Sequence, residues 1–470
     1  MILTLLVNEW RGLLRDGRAA MLLALGALLA VASTWTAAST DARERLAQVT
    51  ATGDARDAWI EREADNPHQR AHFGDFVFRP SGPLAGLDSG LQMVTGRSVR
   101  LEAHRQNDAV HVPHKEASAL LRFDRLEPST VLNLLAPLVL ILAGFGTVAS
   151  ERESGRLRLL RIQGASPVAL LLAKALSLWS IGVLLNLLVV GTHLFFAQEA
   201  AAVGSTLAYF SVHFLALWIV SVLVACVSSW CRRPGTAAGV LLGLWVGSAI
   251  ALPRLTALAA NAAIPLPSRD AFDAAMQEDR EKGLDGHNPR DVRRLEVEES
   301  VLAEYGVSTK EELPVNLDGF LMQADEEYGN QVWDQHFGRL EQLLRRQSDL
   351  VASLSLANPL QAADRISMSI AGTGLDSHLA FLNQVESHRR TLVQKLNDEH
   401  ALGGSKTGDW AWKPELDFYG SFATFQFEPL SLGQALARCR AEWGALLVWF
   451  IGLTGLLLYS ARRLERGGSL

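Results

Sequence analysis

The densest charge in this chain falls at Glu151-Arg152-Glu153-Ser154-Gly155, which ends an apolar run over Pro128–Ser150. Arg156, Arg158 and Arg161 follow, then a Gly-Ala-Ser-Pro turn closing at Pro167, then a second apolar run behind Lys174. Interleaved carboxylates and guanidinium groups of this kind supply no nucleophile and no acid–base pair. They suit ion pairing with another protein surface or with lipid phosphates. A plain helical hairpin needs only a few connecting residues, so roughly twenty ordered polar ones mark an element on which something docks. Glu151, Arg152, Glu153, Gly155, Arg156, Arg158, Arg161 and Pro167 are its candidate docking and coupling residues.

Other residue types with chemical potential give weaker signals. Five of the twelve histidines lie between the first two apolar runs: His68 and His72 at i, i+4, His111 and His114 at i, i+3, and His104. A metal site needs three or four converging ligands. Sequence spacing supplies only pairs, so these histidines read as solvated and no metal is assigned. Asn133, Asn186 and His213 interrupt apolar runs, where a polar side chain must face another helix, a partner or a pathway rather than lipid. Trp410, Trp412, Phe418, Tyr419 and Phe422 belong to an aromatic-rich stretch over 410–427. Two readings stand for it: an aromatic platform at the outer membrane face or pathway mouth, or rings that plug a domain core. Gly403-Gly404-Ser405-Lys406-Thr407 echoes a phosphate-binding loop but lacks the glycine directly before the lysine. No GxSxG, HExxH or CxxC motif occurs. No catalytic residues are assigned, and the basic residues sit at membrane borders rather than forming a nucleic-acid footprint.

These side chains are carried by a strongly apolar framework. Of 470 residues, 49% are hydrophobic. Six stretches of about 19 residues or more lack Asp, Glu, Lys and Arg, enough to cross ~30 Å of hydrocarbon as helix. The expected order is an amphipathic interfacial helix at 1–18, then spans at 19–40, 128–150, 169–198, 206–231, 234–253 and 443–461. The charged elbow occupies 151–168, and 462–470 is a tail. Residues 41–127 and 254–442 fall together on the opposite side from the elbow. The fold class is an all-α polytopic membrane protein with six transmembrane helices and a mainly helical extracytoplasmic domain.

Topology follows from charge. Residues 1–18, the elbow with Lys174, Arg232-Arg233 and the tail hold 13 Lys and Arg against 5 Asp and Glu. Basic loops mark the cytoplasmic side, which places both termini and the elbow inside. Residues 254–442 carry 19 basic and 30 acidic residues. Helix signals recur there: Ser268 as a cap, Asn288-Pro289 as a start, a capping box at Ser308–Glu311, and long helices over Asp318–Leu356 and Asp376–Leu402 broken at Asn358-Pro359. These two helices read as a hairpin standing off the membrane. Cys226 and Cys231 are separated from Cys439 by the bilayer, so no disulfide framework forms.

At the elbow, Glu151, Glu153, Gly155, Leu157, Leu159, Leu160, Pro167 and Lys174 resemble the pattern of type-2 bacterial ABC exporter permeases, with Gly155-Arg156-Leu157 where that family has Gly-Thr-Leu. The interfacial helix and six spans are similar too. Asn358-Pro359-Leu360, Ala371-Gly372-Thr373-Gly374, His378, Phe381, Glu386 and Arg389 resemble a sub-branch with two large outer insertions, similar to permeases of nitrous-oxide reductase maturation and gliding motility. The resemblance implies a multi-pass bacterial inner-membrane permease and two separate ABC ATPase subunits that bind ATP and Mg. It also implies a second permease copy or paralogue, surrounding lipid, and no cofactor on this chain. Its elbow would seat in an ATPase cleft and couple hydrolysis to export. Two other functions stay open: mechanotransmission, in which the outer domain acts on a periplasmic partner without substrate passing the spans, and a membrane sensor or scaffold without ATPase.

Overall fold

The computed structural model describes residues 1–62, 66–110, 126–196 and 203–466. His111 and His114, and the turn around Glu199, lie outside the described residues.

Six helices are long and apolar enough to cross a membrane: Gly17–Glu61, Pro128–Glu153, Pro167–Phe196, Val203–Trp230, Pro234–Ala263 and Arg440–Arg466. The third and fourth are the most buried and form the centre of the bundle, with the others around them. An amphipathic helix, Ile2–Arg15, precedes the first span. Its Trp10 indole donates to Ser180 Oγ of the third span at 2.9 Å, so this ring is anchored on the bundle rather than only floating at headgroup depth.

The first span does not stop at the membrane border. It continues as one helix to Glu61, about 68 Å long at 1.5 Å per residue. Asp16 caps its start by accepting from the Arg18 N–H. Its far end carries Trp59 into the core of the domain beyond the spans, here called the head. The second span, Pro128–Glu153, is interrupted rather than continuous. A wide turn of helix over Val131–Leu135 precedes Pro137, which lacks the N–H a regular turn requires, and the helix then breaks after Gly144.

The head is helical apart from one two-stranded antiparallel ladder among the described residues, Asp75–Phe78 with Ser98–Leu101, Asp75 opposite Leu101. The anticipated hairpin is present. Leu317–Leu354 and Leu375–Leu402 run antiparallel, as the pairings Asp334–Arg390, Gln323–Asn397 and Asn316–His400 establish. Asn358 caps the connecting helix, Pro359–Ala371, by accepting from Leu360 and Gln361 N–H groups. That helix joins the apolar core of the spans. Asn358 Nδ2 donates to Ser248 O at 2.7 Å and Trp449 Nε1 to Leu356 O at 2.8 Å, which fasten the hairpin base to the fifth and sixth spans. The Gly403–Thr407 echo serves as structure: Ser405 accepts from Asn316 and Thr407 from the Leu317 N–H, closing the far end of the hairpin.

Candidate functional site

The elbow consists of two short helices, Ala149–Glu153 and Arg156–Ile162, followed by the third span at Pro167. Gly155 between them sits at φ +75, a left-handed conformation that only glycine enters without steric cost. A second left-handed glycine, Gly164 at φ +89, turns the chain towards buried Pro167. Ser228 Oγ of the fourth span accepts from the Val148 and Ala149 N–H groups at 3.0 and 3.2 Å, satisfying donors that a helix start leaves free.

One side of the elbow is locked to the bundle by charge. Glu151, only 8% exposed, places Oε2 3.0 Å from Lys174 Nζ, and Lys174 is buried at 1%. The same ammonium lies 2.7 Å from Glu9 Oε1 of the first helix. Arg156 adds a longer contact to Glu151 at 3.7 Å. Arg152 donates to Cys231 O and Ser229 O at 2.5 and 2.6 Å, holding the turn after the fourth span. Arg161 donates to Glu465 O at the end of the sixth span, at 3.4 Å. The elbow is thus tied to the first helix and to the third, fourth and sixth spans at once.

Glu151 and Arg152 both find partners inside the chain. The side that faces out carries Glu153, Arg156 and Arg158 with Leu159 and Ile162, which are 61% and 73% exposed. Two large aliphatic side chains held open among arginines form a surface with apolar area to bury and a positive rim.

Glu9 escaped sequence reading. A signal was available, since Glu9 stands at i, i+4 between Leu5 and Leu13, which both pack on the bundle. A carboxylate in an apolar row of a helix marks a buried ion pair awaiting its cation.

The other candidates lie elsewhere. Asn133 donates to Asp364 Oδ1 at 3.1 Å where the spans meet the head. Burial pushes Asp364 up to about 6, with the Asn133 amide opposing it, and burial, then the Asp364 charge, raises neighbouring Asp88 as well. Asn186 is buried and donates to Phe210 O at 3.0 Å, so it joins the third span to the fourth. His213 is fully buried and its Nδ1 contacts Tyr209 O, on its own helix rather than a neighbouring one. The aromatic stretch divides. Tyr419 and Phe422 are buried against Trp59, ring centroids 5.8 and 5.2 Å away, and are core rather than platform. Phe418 stacks edge-on to both. Trp410 remains about half exposed and Trp412 is half-buried near His400.

Where the head meets the spans, a cavity of about 810 Å³ is lined by Arg45, Arg365, Met368, Phe427 and Leu430 among others.

Residues 101–266 match a family described as ABC-2 family transporter protein, and residues 269–423 match a domain of unknown function, DUF3526. No curated protein matches the chain. The first match contains the elbow and four spans, and the second contains the hairpin.

Proposed function

The chain is a type-2 ABC permease, and on that premise we propose that its elbow is the seat of an ABC ATPase whose ATP-driven closure moves the spans to export substrate. In this reading the termini and elbow face the cytoplasm of a bacterial inner membrane, where the basic residues gather, and the head faces outward. A second permease copy and two ATPases complete the complex. The fifth span supports a second copy: its Gly239, Gly243 and Gly247 meet nothing within 4 Å in the single chain and leave a narrow face open to another helix.

The observation that carries the proposal is the two-sided elbow. Leu159, Ile162 and Arg158 are offered outward by Arg156–Ile162, which is seated by buried Leu157 and by Arg161 on the sixth span. The helix before it is tied through Glu151 and Arg152 to the third and fourth spans and, by way of Lys174, to the first helix. A displacement imposed on the outer side therefore reaches several spans together. The first span then carries it outward as an unbroken helix into the head's core at Trp59. The cavity at the head–span junction is lined by arginines, by Asp349 and Asp376, and by apolar side chains, a mixed lining suited to an amphipathic substrate.

The test is a Leu159→Asp, Ile162→Asp double variant, co-expressed with the ATPase and purified in detergent. Losing two central apolar anchors costs about 2 kcal/mol or more, a roughly 30-fold weaker association. The permease should reach the membrane folded, while ATPase recovery on it falls sharply. Undiminished co-purification with wild-type hydrolysis rejects the elbow as the seat.

A further inference from the structure

Far from the elbow, three histidines from two pieces of residues 66–110 come together in the head. His68 and His72 stand one turn apart on Pro67–Phe73, a short helix fixed by a capping box from Asn66 to Gln69. Their Nε2 atoms are 3.1 Å apart. His104 arrives from the turn after the second strand. It adopts φ +59, alone among the described non-glycine residues in the left-handed region. Such a conformation costs about 1–3 kcal/mol unless the surroundings impose it. Here it directs the imidazole at the pair, ring centroids 5.6 Å from His68 and 5.2 Å from His72. One ring nitrogen from each of the three lies within 4.8 Å of the others.

The surroundings match what a metal-binding histidine requires. His104 Nδ1 lies 2.8 Å from Glu326 Oε1, whose carboxylate also accepts from the His104 N–H. That contact orients the ring and leaves Nε2 available to an ion. Glu326 is in turn held by buried Arg389 at 3.1 Å. His68 differs: its Nε2 faces His72, and its Nδ1 is buried with no hydrogen-bond partner, so packing rather than an acceptor holds this ring. Across a tetrahedral zinc ion with Zn–N near 2.0–2.1 Å, ligand nitrogens stand roughly 3.3 Å apart. The first pair, at 3.1 Å, is close to that spacing already, and the His104 nitrogen lies within 4.8 Å of both.

We propose that His68, His72 and His104 form a three-histidine site for a divalent transition-metal ion of the class that prefers imidazole, zinc or copper. Three protein ligands leave a coordination position open. It faces a cavity of about 460 Å³ lined by His68, His104, Tyr328, Arg290 and Trp410, so a small ligand or water can complete the sphere.

The test uses the full-length chain in detergent, stripped with chelator and titrated separately with Zn²⁺ and Cu²⁺. One equivalent of one of these ions should bind per chain and raise the melting temperature. His72 is exposed, so His72→Gln should leave the apo protein's melting unchanged while weakening metal binding at least tenfold. X-ray absorption of the wild-type metal complex should report three imidazole nitrogens, a readout that needs no variant. Absence of stoichiometric binding of either ion overturns the site. So does affinity unchanged by His72→Gln, or a first shell without imidazole nitrogen.

Discussion

Lys174 at the elbow and Arg389 in the head are both buried cations, each about 1% exposed, yet they are held in opposite ways. Lys174 meets carboxylates from two distant segments, Glu9 and Glu151, through a single ammonium on a flexible stem. Arg389 is gripped from every side. Its guanidinium donates to both Glu386 oxygens at 2.8 Å, to Glu326 at 3.1 Å, to Asn330 at 2.8 Å and to Glu102 O at 3.3 Å, and it lies over Trp333. An ammonium is a point charge that exchanges partners by rotation, whereas a planar guanidinium fixes the geometry of several partners at once. The elbow cluster has the properties of a joint and the head cluster those of a rivet. Under the proposed function, the joint sits where an ATPase would move the chain and the rivet where the hairpin would pass that motion on.

The largest expected effect is at the rivet. Arg389→Met strips the cation from Glu326 and Glu386, both buried, and one uncompensated buried charge costs about 3–5 kcal/mol. Thermal unfolding of the full chain should register this as a large drop. A variant that melts like wild type would remove the contrast altogether.

Lys174→Met should cost somewhat less, because the Glu9 and Glu151 side chains stay 19% and 11% exposed to solvent, against 3% for Glu326. Combining it with Glu9→Gln and Glu151→Gln leaves no buried charge unpaired and should restore most of the stability. Stimulation of the ATPase by the permease should stay low in this triple variant, since the elbow is no longer tied to the first helix by charge. Full recovery of both would mean that the cluster serves stability alone.

The smallest effect is a pH slope confined to the head. Burial, then the nearby Arg79 charge, pushes His378 down to about 4. An unfolded histidine titrates near 6.5, so between these values only the unfolded chain takes up the proton. The contribution is therefore complete above about 6.5 and lost as pH falls towards 4. His378→Gln should flatten part of the decline in melting temperature between pH 7 and 5, and an unchanged slope would show that His378 does not titrate with folding.

Much of this architecture was legible in the residues. Charge-free runs long enough to span hydrocarbon anticipated six membrane-spanning helices, and Ser268 and Asn358-Pro359 marked helix starts that the head contains. The elbow's place between the second and third spans followed from Glu151-Arg152-Glu153 and the arginines that separate two apolar runs. The continuation of the first span past its apolar residues was half legible, as charged helix-like residues after Thr40.

What sequence determined by itself, then, was where helices begin and end and which of them lie in lipid, because hydrophobic run length, capping residues and proline act locally along the chain. Tertiary structure alone decided that Glu151 turns inward to Lys174 and Glu9, that Tyr419 and Phe422 close a core on Trp59, and that His104 joins His68 and His72. Each of these pairings links residues on separate elements. Periodicity gives a helix its apolar face, but the partner for that face is chosen only when the elements pack and every buried charge or ring must find a neighbour.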